Sequence, residues 1–88
     1  MQKQHIQLPF AMDTAERMCR SAAREYALKQ APGRPVVVRR PLPVTVRSVP
    51  GNAIAYTVTH VLVEWDTNGE YNVKWEASWQ VKRLAQVS

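Results

Sequence analysis

From Ala15 onward, apolar residues recur at i, i+3, i+4, i+7, i+8, i+11 and i+12: Ala15, Met18, Cys19, Ala22, Ala23, Tyr26 and Ala27. That period predicts an amphipathic helix over residues 14–30. Asp13 stands where an N-cap is expected, with Glu16 three residues later as in a capping box. Pro32-Gly33 ends the segment. Small residues on the stripe, with Met18 and Tyr26 as its larger groups, predict close packing of this face on a sheet. Before the helix, His5 to Leu8 reads as a short strand that Pro9 terminates.

Beyond Pro35 the pattern shifts to short β-branched and aromatic runs. They predict strands over residues 36–39, 44–49, 53–66, 70–76 and 79–84. Pro50-Gly51-Asn52 and Thr67-Asn68-Gly69 read as the turns between them. Placing all apolar groups on one face selects a three-residue loop at 67–69, which sets Trp65 opposite Tyr71 and Val63 opposite Val73. The same criterion sets Val46 opposite Tyr56 and Val44 opposite Val58. Ile54, Tyr56 and Val58 are even-numbered, whereas Val61, Val63 and Trp65 are odd. The long 53–66 strand is therefore expected to bulge or bend near Thr59-His60. The fold class is α+β: one N-terminal helix on a strongly bent antiparallel sheet or small barrel, as a single domain over residues 1–88.

The stretch from Val61-Leu62-Val63-Glu64-Trp65 through Tyr71-Asn72-Val73-Lys74-Trp75 to Val81-Lys82-Arg83-Leu84 resembles the closing strands of SH3-like small barrels of the Tudor, chromo and KOW type. The resemblance covers residues 61–84. It implies a module that binds peptide or nucleic acid, and it assigns no functional residue. An open sheet of four or five strands on the helix accounts for the same pattern.

Charge adds a direction. The net charge is +5, and residues 1–50 carry nine Lys/Arg against three Asp/Glu, while residues 51–88 carry three against four. Arg17, Arg20 and Arg24 share one flank of the predicted helix. Arg34, Arg39, Arg40 and Arg47 follow in the proline-rich segment and the strands after it. Guanidinium groups suit phosphate and carboxylate, so the basic half is expected to dock on a polyanion or an acidic protein surface. For the helix alone, a solvated face with a Glu16–Arg20 pair is the first expectation, and docking is the first expectation only for the basic half as a whole. Trp79 is the aromatic the pattern constrains least. Packing in the core is the first expectation for it, and a base-stacking platform or interface anchor the second.

Candidate chemistry is sparse. His5 and His60 have no companion at metal-ligand spacing, so no metal or cofactor site is expected. His60 reads as a satisfied histidine at a strand irregularity. Cys19 reads as a small buried hydrophobe. Glu64, Asp66, Glu70 and Glu76 read as a solvated acidic hairpin, and Gly33, Gly51 and Gly69 belong to separate turns. The leading expectation is a non-enzymatic basic module that contacts nucleic acid through phosphate-directed arginines. The alternative is a phage- or plasmid-type accessory protein that inhibits or adapts a host complex such as a CRISPR effector or a polymerase. A single cysteine points to the cytoplasm, no run approaches the ~20 apolar residues of a membrane span, and Val36–Val38 offers an edge for homodimerisation.

Overall fold

The computed structural model describes the backbone of residues 7–84 and the side chains of residues 17–84. Helix α1 runs Gln7–Lys29, about 34 Å at 1.5 Å per residue. It is followed by β1 (Val36–Val46), β2 (Val49–Tyr56), β3 (His60–Thr67), β4 (Glu70–Ala77), a single 3₁₀ turn (Ser78–Gln80) and β5 (Val81–Arg83). The strands form one antiparallel sheet in the order β4-β3-β2-β1-β5. The sheet is curled into a half-barrel, as expected for a bent sheet carrying one helix.

The helix begins earlier than its apolar stripe does. Pro9 lies in its first turn, where the missing N–H would have had no partner anyway. Asp13 is therefore inside the helix and is not its cap, and Gln7 and Leu8 are helical; His5 and Ile6 lie outside the described residues. The face turned to the sheet is also not the alanine stripe. Ala27 is buried and Ala23, Arg20, Arg24 and Leu28 are half-buried, whereas Met18, Cys19, Ala22 and Tyr26 are exposed. At 100° per residue the buried face is rotated by roughly 120° from the expected one. The cause is polar: two arginines on that face reach acceptors on the β3–β4 hairpin, described below. Trp75 adds a third tie, its indole Nε1 donating to the Ala27 carbonyl at 2.7 Å, an oxygen in the last helical turn that also accepts from the Gln30 amide at 3.0 Å.

Strand registers differ from expectation for one reason. The sheet buries apolar groups on both faces, so a test that puts all of them on one face picks wrong pairings. Ala27, Ala55 and Leu62 form a cluster under the helix, with Leu28, Ile54, Val73 and Trp75 against it. Val44, Val46, Ala53 and Val63 form a second cluster with Val61, Trp65 and Val81. Leu62 and Val63, adjacent in sequence, are the two most deeply buried large side chains and belong to opposite faces. Trp65 thus lies on one face while Tyr71 and Trp75 lie on the other.

The β3–β4 turn has two central residues, Asn68 and Gly69, with φ of 53° and 79°. Two positive φ values suit a type I′ turn, whose twist matches the strands it joins. Thr67 pairs with Glu70, Trp65 with Asn72, Val63 with Lys74 and Leu62 with Trp75, which replaces the three-residue loop. Likewise β1 turns into β2 at Arg47-Ser48, with Val46 opposite Val49 and Val44 opposite Gly51. Pro50 and Gly51 lie within β2. Gly51 is required there because a Cβ would come within 2.6 Å of the Glu64 carbonyl oxygen.

The phase change between Val58 and Val61 marks a reversal of the chain, not a bend in one strand. Buried Thr57 makes that turn: its Oγ1 accepts from the Thr59 and His60 amides at 3.3 and 3.0 Å, a local bond typical of hydroxyl turns. Residues 53–66 therefore supply parts of two strands. The bulges lie elsewhere, at Ile54 in β2 and over residues 38–41 of β1, where four residues oppose Ile54 alone. Pro41 cannot donate to a ladder, which is one reason pairing lapses there. The last strand is shorter than 79–84, because residues 78–80 form the 3₁₀ turn that carries the chain across to β1, where Val81 pairs with Val46.

Candidate nucleic-acid interface

The arginines expected to share a basic surface divide into three groups. The first clamps the helix. Arg24 Nε donates to the Tyr71 hydroxyl at 3.0 Å and to Glu64 Oε1 at 3.1 Å, and its Nη2 lies 2.9 Å from the same carboxylate oxygen. Tyr71 in turn donates to Glu64 Oε1 at 2.7 Å. Arg20 Nη2 pairs with Asp66 at 3.2 Å, and its guanidinium carbon lies 4.8 Å from the Tyr71 ring centroid, within cation–π range. Burial, and then the bond to Glu64, push the Tyr71 hydroxyl up to about 12. The Arg24 guanidinium is held protonated above its ordinary range, chiefly by its bond to Tyr71. These two arginines have a structural role, and Glu64 is not part of a solvated hairpin.

The second group is the outward one. Arg34, Arg39 and Arg40 are exposed around the loop and bulge that follow the helix, and Arg17 is exposed on the helix. Arg39 and Arg24 line a groove of about 260 Å³ between the helix and the β1 bulge, floored by Leu28, Ile54 and Leu62.

The third group gathers around Trp79. This residue sits in the 3₁₀ turn between β4 and β5, and it is 78% exposed. It is not in the core. Arg47 comes from the β1–β2 turn and Lys82 from β5, where Lys82 pairs with Thr45. Thr45, Arg47, Ser48, Trp79, Gln80 and Lys82 line an open depression of about 480 Å³. Arg47 Nη2 lies 3.5 Å from both Gln80 Oε1 and Glu76 Oε1, contacts at the long limit of a hydrogen bond. The depression thus presents one indole face, two cations, two hydroxyls and one amide. It brings together two of the expected residues, Arg47 and Trp79, and adds Lys82 and Gln80. Lys82 was legible as a cation three residues after an unplaced tryptophan; the pairing of β5 with β1 was not.

The backbone at Arg47-Ser48 is unusual. Arg47 has φ of 50° and Ser48 φ of 70°, a left-handed region that costs a non-glycine residue roughly 1–2 kcal/mol. The other two-residue turn of the same sheet places Asn-Gly in this conformation. The strain thus coincides with the exposed indole and its cations.

Other candidates resolve plainly. Cys19 is a free, exposed thiol and not a buried hydrophobe. His60 opens β3 with its Nδ1 2.7 Å from Thr59 Oγ1. Among the described residues no group of three or more His, Cys, Asp and Glu could hold a metal, and no helix is long and apolar enough to cross a membrane. No protein-family model, curated protein or solved structure matches the chain.

Proposed function

We propose that the protein binds single-stranded nucleic acid at the Trp79 depression. The observation that carries this reading is the exposure of Trp79 between Arg47 and Lys82. An indole face is a stacking platform for any base, and cations beside it suit the flanking phosphates. No base-reading set accompanies it, so recognition rests on stacking and charge. The curled five-stranded antiparallel sheet fits a small barrel-like fold, the class whose closing strands the sequence resembles. Arg34, Arg39 and Arg40 supply further positive charge along the route of a longer strand.

A second reading is docking on an acidic protein surface with Trp79 as the anchor, in the manner of an accessory protein that inhibits or adapts a host complex. The exposed Met18 and Tyr26 on the helix, 68% and 67% accessible, favour it. Titrating labelled single- and double-stranded DNA and RNA across a salt series separates the two. The proposal expects single strands to bind more tightly, log affinity to fall linearly with log salt, and Trp79→Ala to weaken binding. Absence of binding at low salt refutes the nucleic-acid reading.

A further inference from the structure

On the far side of Arg47 from the Trp79 depression lies a second cavity of about 220 Å³. Val46, Val49, Pro50, Val63 and Trp65 line it together with Arg47 and Glu76. The Glu76 side chain is 7% exposed. A carboxylate withdrawn from water needs close compensation by charge or hydrogen bonds. Among the described residues Glu76 has one partner, the Arg47 guanidinium, at 3.5 Å. The Arg47 side chain is 63% exposed, and the same Nη2 is shared with Gln80. The buried carboxylate thus has a single long contact, to a cation carried on the β1–β2 turn.

We infer that this cavity binds a primary alkylammonium, the end of a single lysine side chain of a partner protein, with Glu76 as its counter-ion. The apolar walls suit a methylene stem, which buries its carbons while carrying a charged head. Trp65 offers a ring beside the charge. One carboxylate balances one positive charge, which selects a single side chain over a polyamine; a second ammonium would meet Arg47 and the net positive charge of the chain. Lys74, paired with Val63, is exposed and is not part of the wall. Arg47 is the resident competitor, so an incoming ammonium displaces it from Glu76. Nothing in this site requires nucleic-acid binding, although Arg47 borders both depressions.

The test is a titration of the isotope-labelled full chain with n-butylammonium, followed by amide and indole shifts at Val46, Val63 and Trp65. Neutral n-butanol serves as the shape control at matched ionic strength. The expected result is saturable binding of the ammonium, about tenfold weaker in Glu76→Gln, which keeps the shape and removes the charge. Arg47→Ala removes the competitor and is expected to tighten binding roughly threefold, by less than one tenfold step of free energy; it keeps the test alive should Glu76→Gln fail to fold. Equal binding of n-butanol, equal binding by Glu76→Gln, or weaker binding by Arg47→Ala overturns the proposal. Nα-acetyl-lysine methylamide is expected to bind at least as well as cadaverine; a clear preference for cadaverine overturns the assignment to a partner's side chain.

Discussion

Replacing Arg24 by methionine separates arginines that build the fold from those proposed to meet nucleic acid. Methionine keeps most of the alkyl packing of Arg24 and removes its charge and donors. What it leaves behind is Glu64, whose side chain is 12% exposed against 41% for Arg24. Exposed ion pairs contribute about 0–1 kcal/mol, and breaking a fully buried pair costs about 3–5 kcal/mol. A pair with one partner nearly buried and the other half in solvent falls between, so the expected loss is about 2 kcal/mol. Tyr71 still donates to Glu64, which keeps the cost below the buried limit. In a domain of this size that corresponds to a fall in Tm of about 8–16 °C, measurable by urea and thermal unfolding followed by circular dichroism. The double variant Arg24→Met with Glu64→Gln should recover at least about 1 kcal/mol, because the stranded carboxylate is gone. The salt dependence of nucleic-acid affinity should be unchanged in Arg24→Met at temperatures where it is folded. A loss under about 0.5 kcal/mol, or strictly additive single and double variants, would refute the clamp. A flattened salt slope would return Arg24 to the ligand surface.

Four further outcomes follow from the same geometry. Trp79→Ala should weaken single-strand binding by about 1–3 kcal/mol while altering stability by no more than about 0.5 kcal/mol, read by anisotropy and urea unfolding. The Tyr71 hydroxyl has a folded-state value of about 12, above its ordinary 10.0, so its contribution is whole below pH 10 and is lost as pH rises towards 12. Two units correspond to about 2.7 kcal/mol, which solvent screening of this half-exposed group reduces to about 1 kcal/mol; Tyr71→Phe should abolish that alkaline loss in a pH series of unfolding curves. Ser48→Gly should stabilise the protein by up to about 1 kcal/mol, read by urea unfolding, through relief of left-handed strain at φ 70°, while Arg47 keeps its contact with Glu76. Gly51→Ala should destabilise by about 1–3 kcal/mol, because the Glu64 carbonyl it would strike is backbone in the centre of the sheet; a neutral result would contradict the β2–β3 register.

Some of this was readable from local chemistry. Pro32-Gly33 stopped the helix where it stops, to within a few residues. Asn68-Gly69 marked a hairpin, and the change of phase between Val58 and Val61 marked a break in the regular strand. Other positions misled for an identifiable reason. Met18, Cys19, Ala22 and Tyr26 have the helical period of a buried stripe and are exposed, because Arg20 and Arg24 find Asp66, Glu64 and Tyr71 forty or more residues away in the chain and turn the helix about its axis. The correct register at Asn68-Gly69 looked poor because Lys74 opposes Val63. That objection holds only if one face of the sheet is buried, and here Leu62 and Val63 are both core. The pattern constrains Trp79 least, with the core as the first expectation and a stacking platform or anchor as the second; it is exposed in the 3₁₀ turn between β4 and β5.

The sequence by itself determined the elements: a helix before Pro32, a meander of antiparallel strands after Pro35, and arginines concentrated in the first half. These follow from periodicity, turn residues and composition, which act over a few positions. Only the tertiary structure decided which face of the helix is buried, which arginines are spent on carboxylates, and that Arg47, Trp79 and Lys82 meet. Those outcomes depend on long-range pairing, where a guanidinium takes the best acceptor the fold brings near, and no local pattern encodes which acceptor that will be.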